Sequence, residues 1–423
     1  MSIKHLYPNS TPALNLNFKS SRVADPRIVC NRTGDPGTYV DPVSGLVKIA
    51  PANVARVEKD GLLVEEARTN LVPNSQVFAT GYTVSQLTIT DNAVVAPDGT
   101  TTAASLIETA TTDAHSFQLS STSQSNLSQS IFVKPAGRDN ICVRFVTNSN
   151  DWYTITFNLT GNGSITQEVE SVSSNWTINT KSIKPLANGW YHISVGATST
   201  TSTSYVLSVL GCDSPTPTIV AQWGFPRYTG DVTKGYYVWG AQLEANSFPT
   251  SYIPTSGSTV TRSADLASIT GTNFSSWWNS SEGSIVTIAK NFPTTSGNRK
   301  AWEFNKGGTN PSHVASGPTL VASSGSGTTF FQSPVNGNYT NSTLTLGSTK
   351  TQTAFAFATG DIAGSGDGGS TQTNTSGLDP NIKRIHIGRN RSASAGETLN
   401  GHISRISYYP TRVSDTALQS LTQ

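Results

Sequence analysis

Short runs of alternating apolar and polar residues, each closed by a cluster of Asn, Gly or Ser, recur along this 423-residue chain and restrict it to β architecture. The clearest are Ser130-Ile131-Phe132-Val133-Lys134, Thr154-Ile155-Thr156-Phe157-Asn158, Tyr191-His192-Ile193-Ser194-Val195, Tyr236-Tyr237-Val238-Trp239 and Ser284-Ile285-Val286-Thr287-Ile288-Ala289. A period of two sends successive side chains to opposite faces, which makes half-buried strands. Charged residues form 13% of the chain, against about 25% in an ordinary globular domain, so long charged helices cannot be built from this stock. The 35% hydrophobic content is enough for a sandwich, whose core takes only alternate strand residues. One helix is expected, over 414–421, where Ser414 can cap and apolar residues follow three apart.

The pattern divides the chain into three segments. Residues 1–74 hold one short alternating run, Leu14-Asn15-Leu16-Asn17-Phe18, followed by turn signals at Asp25-Pro26-Arg27, Gly34-Asp35-Pro36-Gly37 and Pro42-Val43-Ser44-Gly45. This reads as an extended arm too poor in apolar sequence for its own core. Residues 75–265 carry repeated strands of sandwich or jelly-roll type. The stretch 248–262, with Pro249 and Pro254, reads as a linker. Residues 266–423 form a third, strand-rich segment in which 364–377 reads as a polar, Gly-rich loop.

Net charge is +2 with no basic stripe, which argues against nucleic acid as a partner. There is no apolar stretch of signal-peptide or transmembrane type, so membrane insertion is not expected and synthesis in a cytoplasm is. Cys30, Cys142 and Cys212 are widely spaced and odd in number, without metal-ligand spacing, and Cys142 reads as a small buried apolar residue. No carboxylate pair sits in a glycosidase motif, no Gly-x-Ser-x-Gly elbow occurs and no phosphate-cradling loop is present, so the chain is not expected to be an enzyme.

Aromatic residues beside polar turns are the strongest binding signal, because flat rings stack on the CH faces of sugars. Asp151, Trp152 and Tyr153 follow a polar turn and rank first. Trp223, Arg227 and Tyr228, around Pro226, rank second. Trp277 and Trp278, between Ser/Asn clusters, complete the candidates. Leu14, Leu16 and Phe18 share one face of their run and could add a strand to a partner.

Several motifs, taken in order, resemble a family of bacteriophage head-spike and tail-fibre proteins. They are Gly37-Thr38-Tyr39-Val40-Asp41-Pro42-Val43-Ser44-Gly45-Leu46, Gly61-Leu62-Leu63-Val64-Glu65-Glu66-Ala67-Arg68-Thr69-Asn70-Leu71, Ser130-Ile131-Phe132-Val133-Lys134-Pro135, Asn188-Gly189-Trp190-Tyr191, Tyr237-Val238-Trp239-Gly240-Ala241-Gln242-Leu243-Glu244, and Phe248-Pro249-Thr250-Ser251-Tyr252-Ile253-Pro254-Thr255 with Thr261-Arg262-Ser263-Ala264-Asp265. They span roughly residues 14–265, and the resemblance implies a carbohydrate-binding-module-like jelly roll. It also implies that Trp190, Tyr237 and Trp239 are core residues and that Glu65-Glu66 serves structure, bonded to Arg68 or to the backbone. Arg384-Ile385-His386-Ile387-Gly388-Arg389 and Leu399-Asn400-Gly401-His402-Ile403-Ser404-Arg405-Ile406-Ser407-Tyr408-Tyr409, with Arg412-Val413-Ser414-Asp415, resemble concanavalin A-like (laminin-G-like) sandwiches. That likeness implies a lectin-type fold and raises calcium as a cofactor at Asp361 and Asp367, near Asn374 and Asp379, although turn chemistry accounts for the same residues.

The expected architecture is therefore all-β: an N-terminal arm, a jelly roll and a concanavalin A-like sandwich. The expected function is adsorption to a host-surface glycan or lipopolysaccharide, as a tail fibre or spike on the phage particle surface. Other virion proteins are the expected partners, with the arm of Leu14, Leu16 and Phe18 anchoring the chain. A homo-oligomer is expected, a trimer being one form, because avidity multiplies weak sugar contacts. The competing readings are a capsid decoration protein and a glycan depolymerase.

Overall fold

The computed structural model describes residues 11–34, 37–120, 124–148, 150–201, 206–290, 299–306, 319–323, 328–332, 343–348, 351–375, 381–389 and 397–423. The chain is nearly all β, as expected, and forms two compact units whose boundaries differ from the three expected segments. One unit comprises Met1–Gly34, Ala50–Ala67 and Ser263–Gln423; the other comprises Asp35–Ile49 and Arg68–Arg262.

The first unit is a sandwich of two antiparallel sheets. Among the described residues, one sheet runs Gln372–Asn374, Asp361–Gly366, Gln352–Ala358, Gly283–Lys290, Gly401–Tyr409, Gly61–Val64 and Arg56–Glu58. The other runs Val29–Asn31, Leu266–Thr270, Arg384–Ile387, Arg299–Asn305, Thr319–Ser323, Thr328–Gln332 and Thr343–Ser348. Ile285, Phe355, Phe357, Ile406 and Tyr408 from the first sheet meet Ile269, Trp302, Phe304 and Ile385 from the second. Alternation then serves a second purpose. Ala354, Ala356 and Tyr409 point away from that core and are covered by Val413, Leu418 and Leu421, on and beside the helix Asp415–Ser420. Small alanines between the phenylalanines let a helix lie close to the sheet. Ser414 caps this helix by accepting from the Ala417 amide at 3.3 Å, as the sequence predicts.

Two expectations fail in this unit. Residues 1–74 are not a separate arm. Leu14–Leu16 pairs antiparallel with Gly401–Tyr409, and Leu14, Leu16 and Phe18 are buried in the core, so none of the three is free to add a strand to a partner. The segment lacks a core of its own because it completes those of both units. Nor is 364–377 a loop throughout. Asp361–Gly366 is a strand, in which Gly364 is needed because a Cβ there would stand 2.6 Å from the Phe331 ring. Residues 376–377 lie outside the described residues.

The second unit is also a two-sheet sandwich, six strands each among the described residues. One sheet runs Trp176–Pro185, Tyr191–Ser199, Asn126–Ala136, Gly235–Glu244, Ala103–Glu108 and Leu87–Val94. The other runs Ser164–Glu170, Asp151–Asn158, Asn140–Asn148, Val206–Cys212, Ser116–Ser120 and Thr83–Ser85. Ile131, Val133, Ile193, Val195 and Val238 face Ile141, Val143, Phe145, Ile155 and Phe157 across the core. On the outer face of the first sheet, Phe132, Trp190 and Trp239 are buried beneath Val47 and Tyr252, while Tyr237 is partly buried against them. The stretch 248–262 is thus not a linker. Tyr252 donates to or accepts from Ser75 Oγ at 2.6 Å, and Val260–Arg262 pairs with Arg68–Asn70. Cys142 is fully buried, with Leu210 and Cys212, on the outer face of the second sheet.

Candidate functional site

Strands Asn140–Asn148 and Asp151–Asn158 pair with Arg144 opposite Thr154 and Val146 opposite Trp152. Since Phe145, Ile155 and Phe157 turn inward, Arg144, Trp152 and Thr154 all project from the outer face. That face is not left to solvent. The chain from Val220 to Phe225 folds over it in a closed turn, with Val220 N donating to Phe225 O at 2.9 Å and Gly224 N to Val220 O at 3.1 Å. Three strand side chains hold the turn by its carbonyls. Trp152 Nε1 donates to Ala221 O at 3.0 Å, Arg144 Nη1 donates to Trp223 O, and Thr154 Oγ1 donates to Gly224 O at 2.6 Å.

The result is one outward ring. Trp223 is 44% exposed, the only exposed large aromatic among the described residues, and sits at φ +72°. Left-handed backbone costs a non-glycine residue roughly 1–2 kcal/mol, and such strain persists where the surroundings fix it. Here the three carbonyl bonds do so. Gly224 follows at φ +66°, and a Cβ on it would fall 2.1 Å from the Trp152 indole, so the support accepts only glycine there. Arg144 is buried beneath the turn. Burial pushes its guanidinium down to about 10, and Ser208 Oγ at 3.1 Å and the Phe225 ring at 5.9 Å are its other neighbours.

The sequence candidates therefore change roles. Trp152 is 3% exposed and supports Trp223 rather than presenting itself, because a distant loop covers the face that strand alternation exposes. Asp151 is buried and accepts from Thr147 Oγ1 at 2.5 Å and the Asn175 amide at 2.9 Å. Tyr153 is partly buried, its hydroxyl donating to Glu168 at 3.0 Å. Arg227 is exposed, 3.5 Å from Asp113. Trp277 and Trp278 belong to the core of the other unit, where Trp278 stacks at 5.3 Å on both Phe357 and Tyr408. Arg144, Thr154 and Gly224 were not among the candidates. Trp223, of the second-ranked candidates around Pro226, lies in the same turn as Gly224, but nothing in the sequence tied that turn to Arg144 and Thr154.

Tyr228 is also structural. Its hydroxyl donates to Glu108 at 2.5 Å, while Arg138 forks onto the same carboxylate at 2.9 and 2.7 Å and the Asp231 amide adds a bond at 2.9 Å. Burial raises the Glu108 pKa, but these donors outweigh it and hold the carboxyl below the usual glutamate range. A depressed carboxylate pKa stabilises the fold above the unfolded value and loses that contribution as pH falls through the folded one. Glu108→Gln should therefore cost about 2 kcal/mol at pH 7. The gap to wild type should close as pH drops below about 4. Urea titrations at pH 7, 5 and 3 test this; an unchanged gap at pH 3 contradicts it.

The calcium expectation does not hold for the named pair. Asp361 begins a strand and Asp367 follows its end, so about 20 Å separates them. Asp361 is ion-paired to Arg412 at 2.9 Å, and Asp367 accepts from the Gln352 amide at 2.8 Å. Asp379 lies outside the described residues, and no group of three potential metal ligands occurs among those described. Among them, too, no helix is long and apolar enough to cross a membrane.

No family model and no curated protein matches the chain. Among solved structures, domains LG4-5 of the mouse laminin alpha1 chain align at 10% identity over 80% of this chain and 90% of that one, with a TM-score of 0.20. Trypanosoma rangeli sialidase aligns at 10% identity over 91% of this chain and 65% of that one. Its TM-score is 0.26 in complex with 2,3-difluoro-KDN and 0.25 with sialic acid.

Proposed function

We propose that this chain is a bacteriophage tail-fibre or spike protein that attaches to host-surface glycans, with Trp223 as the stacking platform. The observation that carries the reading is an exposed indole on a strained turn whose carbonyls are pinned from below. A rigid aromatic anchor binds with little ordering cost, since its position is set before the ligand arrives. Arg227 adds an exposed guanidinium four residues on. The ordered motifs in residues 14–265 support the phage assignment. The role is binding without catalysis, and the partners are other virion proteins and a host glycan or lipopolysaccharide. Single sugar contacts are weak, so a homo-oligomer would act by avidity.

The test is a glycan array and host-envelope pull-down with the purified chain, run beside Trp223→Ala. Wild type should bind a defined set of glycans. Trp223→Ala should lose about 2 kcal/mol, roughly thirtyfold in Kd, without a change in melting temperature. Equal binding by the variant would remove Trp223 from the site. No binding by wild type to any glycan or envelope would favour a structural capsid or tail component instead.

A further inference from the structure

The first unit carries a polar groove of about 1070 Å³ lined by Asp361, Thr373, Asn374, Thr375, Arg412 and Asp415, among others. Three pieces of chain build it. Gly360 and Asp361 turn into the strand Asp361–Gly366, Gln372–Asn374 is the edge strand beside it with Asn374 opposite Ile362, and Arg412 and Asp415 lead into the last helix. The groove has a fixed centre. Arg412 Nε reaches Asp361 Oδ2 at 2.9 Å, while Nη2 bridges Asp361 Oδ1 at 3.1 Å and Asp415 Oδ1 at 2.6 Å. Its Nη1 donates to Val413 O at 2.7 Å.

We infer that this groove is a second ligand site, selective for neutral, hydroxyl-rich molecules such as an uncharged oligosaccharide. The Arg412 side chain is 15% exposed and largely spent on its partners, whereas the Asp361 and Asp415 side chains are 48% and 46% exposed. The bridge therefore holds two half-exposed carboxylates at fixed spacing. Two carboxylates against one guanidinium leave the groove net negative, which disfavours phosphates, sulfates and uronic acids. The position between the carboxylates, where a metal or amine would sit, is already filled by the guanidinium. The named lining holds no aromatic or aliphatic side chain, so an apolar ligand gains nothing. What remains is a donor without charge, and vicinal hydroxyls bonding to a carboxylate meet that description. Thr373 and Thr375 add hydroxyls that can donate or accept along the groove wall.

The groove belongs to the first unit and Trp223 to the second, and the two share no residue. Isothermal titration of the full chain with a neutral oligosaccharide panel, maltooligosaccharides and mannooligosaccharides, tests it against sulfated heparin fragments and chitosan oligomers. The panel is run on wild type, Trp223→Ala, Asp415→Asn and Thr373→Arg. The expected result is binding of at least one neutral oligosaccharide that survives Trp223→Ala, weakens at least tenfold in Asp415→Asn and vanishes in Thr373→Arg. Thr373 is exposed on an edge strand, so its replacement blocks the groove without breaking the Arg412 bridge, and matched melting curves confirm folding. Neutral binding that is lost in Trp223→Ala but untouched by the groove variants overturns this proposal and leaves the Trp223 reading standing. Tighter binding of sulfated or amino sugars through the groove, or no groove-dependent binding at all, overturns it as well.

Discussion

Replacing Asp265 with alanine is expected to cost about 3–5 kcal/mol, a large part of what holds a domain together. Asp265 is 2% exposed and accepts from Arg32 Nη1 at 2.8 Å, from Arg56 Nη2 and from the Glu65 amide at 2.9 Å. Arg56 also pairs with Glu65 at 2.8 Å, so two guanidiniums and two carboxylates balance inside the first unit. Burial works against the charge on Arg56, but the Asp265 and Glu65 carboxylates outweigh it and hold its pKa above the ordinary arginine value. Without Asp265, Arg32 and Arg56 remain buried and lose a carboxylate that both of them pair with. Asp265→Asn should be nearly as damaging, because it keeps the shape and removes the charge. Urea unfolding followed by amide exchange in this unit measures the loss; a shift under about 1 kcal/mol would mean that water or a neighbour compensates the freed arginines.

Removing residues 1–70 should have a larger effect and leave no folded product of normal stability. The deletion takes Leu14, Leu16, Phe18, Leu62 and Val64 out of one core. At about 1.5–3 kcal/mol for each buried side chain, that loss is on the order of 10 kcal/mol, comparable to the whole stability of a domain. It also takes Arg32, Arg56 and Glu65 from the ion cluster, and Val47 from the second unit. Soluble yield and amide dispersion of the truncated chain are the readouts. A well-dispersed, soluble fragment would show that these strands are an addition to cores that close without them.

The strands were legible because alternation is local. Ser284–Ala289 was expected and Gly283–Lys290 is found, and the capped helix at Ser414 falls within a residue of its expected place. What failed depends on residues far apart in sequence. Alternation correctly put Trp152 and Tyr153 on opposite faces, but not the turn around Trp223 that comes back to cover one of them. Asp265 meets Arg32 across 233 positions, a pairing that no spacing announces. Glu65 and Glu66 were expected to serve structure through Arg68 or the backbone; they pair with Arg56 and with Arg299, at 2.8 and 3.2 Å, partners the sequence did not suggest. Leu14, Leu16 and Phe18 looked like an arm because their partner strand, Gly401–Tyr409, is almost the last in the chain. The residues of the groove were named apart, Asp361 and Asn374 for calcium and Arg412 to Asp415 for the sandwich resemblance, and nothing in the spacing brought them together.

That interleaving also sets an order of events during synthesis. The second unit ends at Arg262, so its last strand leaves the ribosome before the strand Gly401–Tyr409 is made. The first unit cannot close until Gly401–Tyr409 appears, since that strand pairs with Leu14–Leu16, Gly61–Val64 and Gly283–Lys290. Leu14–Leu16 and the outer edge of the 56–64 hairpin therefore lack their partner strand until then. At about 5–20 residues per second that wait lasts on the order of ten seconds or more, a window in which unpaired strand edges are exposed to aggregation.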